Sequence, residues 1–458
     1  MNVNDRIAVA NDRVVRCSRI VFLLILCFLT SEVCAQLAIE VSGKTMGPIQ
    51  YRVVVGDNGK LPSRQTLAGW VQGELDQVNE LMSTYRDDSD VTRFNRSQST
   101  DWFPVDPLTA RVVKRSLEIS ELTDGAFDIT IGPAVNLWSF GPEGMGSELP
   151  TDQQVADVLS IVGYSMILVR EEPPAIRKKK PGVQIDLSAI AKGFAVDQVA
   201  ERLNRGSLVN YMVEVGGEVR TDGVNPEGDP WKIGIEKPTA NVREVLAVTV
   251  MENSSLATSG DYRNFRIIDG QKYTHTIDPR TCRPVRYGLA SASLIQTNAA
   301  PNGCMTADAF ATALMVTASG QNGDSQSLKK RCLNFCENHQ ADGFFVLQKN
   351  PDANTELMNW ETFSTASFPM AAEAPGRIVS QPSASRSIWP AFLGALLLFG
   401  LAIAAMAVGA IFANKPITGS CGGIAVKPGE EGGAACSLCS KPVAECPEQQ
   451  EPNGSRSV

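Results

Sequence analysis

Val183-Gln-Ile-Asp-Leu-Ser-Ala-Ile-Ala-Lys-Gly-Phe-Ala-Val-Asp-Gln-Val199 is the stretch whose reading decides the fold. Val183 to Leu187 alternates apolar and polar residues and predicts a short strand, and Ser188 is by type a helix N-cap. Ala191, Phe194, Ala195, Val199 and Leu203 then share one face of the helix that follows. A strand that ends in a carboxylate and feeds a helix start is a place to hold phosphate. The free N–H groups of the first turn attract anions, Lys192 adds a positive charge, and Gly193 permits close approach. The same residues also suit an ordinary strand-to-helix turn with a solvated lysine, so the rest of the chain has to decide.

Toward the N-terminus, Leu37 to Val41 and Ile49 to Val55 read as strands around Thr45-Met46-Gly47. Leu67, Trp70, Val71, Leu75, Val78, Leu81, Met82 and Tyr85 recur at helical spacing, and Ser83 to Asn95 reads as a polar loop. Asp106 and Pro107 open a helix with Val112, Val113, Leu117 and Leu122 on its inner face. On the other side of the stretch, Val209 to Val215 and Trp231 to Ile235 are strands, and Ala257-Thr-Ser-Gly-Asp-Tyr262 is turn-like. Tyr273, His275 and Ile277 fall on one face of a further strand. His275 is one of two histidines in the protein, and its ordinary pKa suits base work near neutrality, although a structural histidine is as common as a catalytic one.

Thr306-Ala-Asp-Ala-Phe-Ala-Thr-Ala-Leu-Met315 is a helix that Thr306 can cap, with Asp308 and Thr312 four apart on one face. A carboxylate and a hydroxyl are hard oxygen donors suited to magnesium. On spacing alone the plainer reading is favoured: an aspartate near a helix start and a threonine bonded back to its own helix.

The chain has 458 residues, 43% hydrophobic and 20% charged, enough for one large or two medium cores beside extra segments. The net charge of −8 and the lack of a long basic run exclude a nucleic-acid-binding surface. Arginines at 6, 13, 16 and 19 precede an apolar run and Val33-Cys-Ala35, which marks 1–35 as a signal peptide. From Ser387 to Asn414 the chain has 28 residues without a charge, more than the ~20 a spanning helix needs. Residues 36–370 therefore form an exported body, 371–386 a linker, 387–413 a transmembrane helix and 414–458 a cytoplasmic tail. This is the layout of a membrane-anchored bacterial inner-membrane protein with a periplasmic body. The tail holds Cys421, Cys436, Cys439 and Cys446, and four thiols so close in a reducing compartment point to a metal, either zinc, iron or an iron–sulfur cluster. Cys332 and Cys336 in the body read as structural or free.

The motifs Thr45-Met46-Gly47, Ser83-Thr84-Tyr85, Gly125-Ala126-Phe127-Asp128, Ile185-Asp186-Leu187 with Ala191-Lys192-Gly193, Gly216-Gly217-Glu218, Ala257-Thr258-Ser259-Gly260, His275 with Asp278-Pro279, and Asp308 with Thr312 occur in one order that resembles the ApbE family of FAD:protein FMN transferases. The resemblance spans roughly Leu37 to Pro369. One departure is Cys282, where the family has glycine. The resemblance implies an α+β fold of mixed, largely antiparallel sheets with flanking helices and FAD in a cleft, beside the single transmembrane helix. It implies transfer of FMN from FAD to a threonine or serine hydroxyl of a target flavoprotein, with AMP released. Asp308, Thr312 and the carbonyl of Ala189 would hold Mg2+, Lys192 would steady the diphosphate, and Asp186 would bind FAD. Met46, Tyr85, Ala126, Phe127 and Asp128 match positions that contact FAD, and His275 would take the hydroxyl proton. The segment from Ile388 to Pro447 is similar to the small membrane factor that matures the sodium-pumping NADH:quinone reductase and is implicated in iron delivery. That similarity makes the reductase's flavin-carrying subunits the expected partners. An FAD pyrophosphatase and a non-enzymatic FAD-binding scaffold are the competing readings.

Overall fold

A computed structural model describes residues 38–142, 148–239, 244–286, 288–297, 301–319, 324–348 and 360–371. The leader, the linker beyond Ala371, the 387–413 apolar run and the cysteine-rich tail lie outside the described residues. Among those described, no helix is long and apolar enough to cross a membrane.

The frame is one eight-stranded sheet whose strands lie side by side in chain order: β1 (Ala38–Thr45), β2 (Ile49–Gly56), β3 (Tyr211–Val215), β4 (Glu218–Asp222), β5 (Ser254–Gly260), β6 (Leu289–Thr297), β7 (Asp342–Gln348) and β8 (Trp360–Ser364). Every neighbouring pair is antiparallel; Val53, for example, pairs with Val41 on one side and Val213 on the other. Alternation sends Val53, Val55, Val213 and Val215 to one face, where helices cover them, and Val54 and Met212 to the other. That second face is covered by the hairpin Trp231–Glu236 with Val245–Met251, through Trp231, Ile233 and Ile235.

Eight α-helices are described: α1 (Arg64–Met82), α2 (Asp90–Arg96), α3 (Pro107–Leu122), α4 (Gly132–Leu137), α5 (Asp152–Leu159), α6 (Ala191–Arg205), α7 (Gly303–Thr317) and α8 (Ser325–His339). α1 buries the periodic stripe Leu67, Val71, Leu75, Val78 and Met82. α7 is apolar almost all round, as a helix enclosed on all sides must be, and packs against α6, β5 and β6. The fold is thus the expected mixture of antiparallel sheets and flanking helices.

Several local expectations are corrected. Val183, Ile185 and Leu187 are fully buried as the alternation predicts, yet the segment joins no sheet. Its backbone partners include the Asn95 side chain, which accepts from Ile185 N and donates to Ile185 O (both 2.8 Å), Ile129 O, which accepts from Asp186 N at 2.7 Å, and Lys178 Nζ, which donates to Val183 O at 2.7 Å. Ser188 does not cap α6, whose first flanking residue is Ile190 with no side-chain cap. Thr306 lies inside α7, four residues after its flanking residue Asn302, and its hydroxyl donates to Asn302 O. The polar segment Ser83 to Asn95 contains α2, capped by the Ser89 hydroxyl, and Ala257 to Gly260 belongs to β5. Leu122 is exposed at the end of α3, and Tyr85, also exposed, lies beyond the end of α1, so neither belongs to a core stripe.

Candidate functional site

The site forms where α6 starts against α7. Gly193 makes the approach possible, since a Cβ there would stand 2.4 Å from Cys304 O and 2.8 Å from Met305 Cα. A buried ion pair fixes the crossing. Asp197 on α6 accepts from Arg220 Nη1 on β4 (2.7 Å) and from Met305 N and Cys304 N at the start of α7 (2.9 and 3.3 Å). Burial pushes the Asp197 carboxyl up, and the guanidinium and the two amides draw it back.

This crossing sets Lys192 and Asp308 side by side although 116 residues separate them. Lys192 Nζ is 3.2 and 3.3 Å from the two Asp308 oxygens and 3.2 Å from Glu218 Oε1, and Gly193 N donates to Asp308 Oδ2 at 3.0 Å. Burial alone would lower the Lys192 pKa, but the two carboxylates more than reverse it, so the ammonium stays charged. Burial raises Glu218, with Lys192 opposing and Asp308 reinforcing the rise. One turn along α7, the Thr312 hydroxyl lies 3.2 Å from Ser259 Oγ on β5. Ala189 sits in the Leu187–Ile190 turn immediately before α6.

His275 stands just beyond the hairpin Phe265–Ile268 with Gln271–Thr274. Both its backbone N–H and its Nδ1 reach the Asn264 carbonyl, at 3.2 and 3.0 Å. A carbonyl can only accept, so Nδ1 carries the hydrogen and Nε2 keeps its lone pair. Burial lowers the pKa of the ring, the Asn264 carbonyl opposes this, and Lys192 and Lys272 lower it further. The neutral imidazole with a free Nε2 is the form a general base needs.

The remaining sequence candidates occupy varied settings. Met46 lies in the β1–β2 turn with φ +46, half-buried. That turn leads into Ile49, which with Lys192 Cδ flanks Gly216. Tyr85 is 75% exposed, which leaves its ring open to stack on a ligand. Ala126 and Phe127 are buried. The buried Asp128 carboxylate is occupied locally, accepting from Thr130 N and Oγ1 and from Tyr164 N, so it holds loops together. Asp186 is half-buried and accepts from Ser188 N. Cys282 has φ +51, the left-handed conformation that glycine adopts freely and that costs another residue about 1–2 kcal/mol. The turn is nevertheless kept: Cys282 N donates to Asp278 O at 2.8 Å and Trp138 Nε1 donates to Cys282 O at 2.8 Å. Burial pushes the Cys282 thiol up to about 12, leaving it unreactive. Cys332 and Cys336 are free and buried.

Glu218 and Ser259 enter the sequence reading only within the Gly216-Gly217-Glu218 and Ala257-Thr258-Ser259-Gly260 motifs, without a role of their own. The tight Gly216–Gly217 turn ahead of Glu218, with φ +66 and +106, was the available signal for the first. Among the described residues no three His, Cys, Asp or Glu side chains converge. A cation here would therefore have two carboxylates at most, and hydroxyl, carbonyl and ligand oxygens for the rest.

Lys192, the start of α6 and the oxygen-bearing face of α7 thus meet at one place, the set of groups that a polyanion together with a hard cation would require. The ApbE family profile matches residues 46–326. The FAD:protein FMN transferase of Vibrio cholerae serotype O1 is 41% identical over 278 residues, covering 61% of this chain and 81% of that protein. The enzyme of the same name from Escherichia coli K12 is 38% identical over 276 residues, covering 60% and 77%. Among solved structures, the flavin transferase ApbE from Vibrio cholerae superposes with a TM-score of 0.61 at 35% identity, covering 73% of this chain and 98% of that one. The apo flavinyl transferase ApbE of Pseudomonas stutzeri gives 0.61 at 31% identity, covering 72% and 95%. The chain belongs to the ApbE family.

Proposed function

We propose that the body of this chain is an FAD:protein FMN transferase. The observation that carries the reading is the Lys192–Asp308–Glu218 cluster at the start of α6, in a chain that also holds His275 with a free Nε2. The names of the relatives support it. A threonine or serine hydroxyl of the acceptor attacks the FMN-side phosphorus of FAD. The new P–O bond forms as the bridging P–O bond breaks, AMP leaves with the bridging oxygen, and His275 Nε2 takes the hydroxyl proton. Lys192 neutralises the diphosphate, while Met46 and Tyr85 contact the FAD.

The donors fit a hard divalent ion: Asp308, the Thr312 hydroxyl and the carbonyl of Ala189 would hold Mg2+, and the buried Glu218 Oε2 lacks a hydrogen-bond partner among the described residues. Bound there, Mg2+ supplies charge neutralisation for the diphosphate. Substituting His275→Gln removes the base without adding charge. Transfer should fall by about 10²–10⁴-fold, measured as acceptor fluorescence that survives denaturing electrophoresis, while FAD still binds. An unchanged rate would remove His275 from the mechanism, and AMP release at full rate without an acceptor would favour a pyrophosphatase.

The sequence of the remaining segments supports a periplasmic body held by the 387–413 span, with a cytoplasmic tail that assists iron or iron–sulfur maturation of the sodium-pumping NADH:quinone reductase. Its flavin-carrying subunits would be the acceptors. Replacing Cys436 and Cys439 by serine should then lower the iron content of the reductase and leave its flavinylation intact. Loss of both together would contradict two independent functions.

A further inference from the structure

The cluster holds one acid more than its lysine can balance. Glu218 opens β4 directly after the Gly216–Gly217 turn and is 2% exposed, with Oε1 3.2 Å from Lys192 Nζ. Its Oε2 is buried, without a hydrogen-bond partner among the described residues, and lies beside Gly216, where a Cβ would come within 3.4 Å of it. The same ammonium lies 3.2 and 3.3 Å from the Asp308 oxygens, and Asp308 Oδ2 also accepts from Gly193 N. One positive charge thus faces two buried carboxylates, an arrangement that buried charges tolerate poorly.

We propose that Glu218 is the second carboxylate of the cation site and that Lys192 stands in for the cation in the metal-free protein. A divalent ion between two carboxylates is neutral, so its arrival releases the ammonium to the diphosphate of FAD. Lys192 is suited to the exchange, since a four-carbon stem carries its charge and the side chain keeps 26% of its exposure. The lysine therefore does two jobs in sequence. It stabilises the acids before the metal binds and neutralises phosphate afterwards. Ordered binding follows, because a divalent ion must displace Lys192 before FAD meets a free ammonium. This inference rests on the reading of Asp308 as a cation ligand.

The test is Mn2+ binding to the full-length protein without FAD, followed by the electron paramagnetic resonance of free Mn2+, beside thermal midpoints with EDTA and with Mn2+. Glu218→Gln should weaken Mn2+ binding by about tenfold or more. Lys192→Met should have the opposite effect, tightening binding by about tenfold, because the two acids lose the competing cation. Its thermal midpoint should fall in EDTA and recover with Mn2+ by more than that of the unaltered protein. Wild-type Mn2+ affinity in Glu218→Gln, or no tightening in Lys192→Met, would overturn the proposal. Asp308→Ala separates the two readings: wild-type Mn2+ affinity in that variant would remove the cation site altogether. Lost affinity in Asp308→Ala beside unchanged affinity in Glu218→Gln would remove only the role given to Glu218.

Discussion

Gly193→Ala is expected to destabilise the body by about 3 kcal/mol or more, at the upper end of what overpacking costs, and to abolish transfer along with it. The added methyl would stand 2.4 Å from Cys304 O, 2.7 Å from Cys304 C and 2.8 Å from Met305 Cα. All three atoms are backbone at the start of α7, so no side-chain rotation relieves the clash and the two helices must separate. Separation pulls Asp197 from Met305 N and Cys304 N, which exposes a buried carboxylate to the loss of its partners. It also draws Gly193 N and Lys192 away from Asp308. The thermal midpoint should fall by roughly 5–10 °C. Gly73 on α1 has open space within 4 Å, so Gly73→Ala is the matched control and should be neutral or stabilising by about 0.5–1 kcal/mol. A wild-type midpoint for Gly193→Ala would show that the crossing is looser than the contact distances imply.

That crossing also explains how much of the molecule could be read from its residues. α1 and α3 announced themselves through 3.6-residue spacing, and β1, β2 and β3 through short apolar runs between turn residues. Val183 to Leu187 misled in one respect only. Buried backbone groups need hydrogen-bond partners, and here the Asn95 side chain, Ile129 O and Lys178 Nζ supply them in place of a neighbouring strand. Ala257 to Gly260 looked like a turn because its residues are small and polar. In the sheet those same properties let β5 lie against α7 and bring Ser259 to Thr312. For the site, the motif order brought Lys192, Asp308 and His275 to attention, but spacing could not show that Lys192 and Asp308 touch. Their meeting depends on Gly193 and on Asp197 gripping the start of α7, a contact between segments more than a hundred residues apart. Glu218 stood in the Gly216-Gly217-Glu218 motif without a role of its own, because a single acid after two glycines is also an ordinary hairpin exit.

The account makes Asp308 the residue on which both the cation and the lysine converge. Asp308→Ala removes a carboxylate that faces Lys192 Nζ and accepts from Gly193 N, leaving Lys192 with Glu218 alone. Asp308→Asn keeps the shape and the Gly193 bond but halves the negative charge in the cluster, so it tests the charge with the packing preserved. Since AMP leaves with charge that must be neutralised as the bridging P–O bond breaks, both variants should lose about a thousandfold or more in transfer. The most direct measurement gives the full-length protein FAD, Mg2+ and an acceptor flavoprotein, and follows by mass spectrometry the acceptor's gain of one FMN. The account predicts a Mg2+-dependent gain with the native chain and almost none with Asp308→Asn. Flavinylation by Asp308→Asn at the native rate would contradict it.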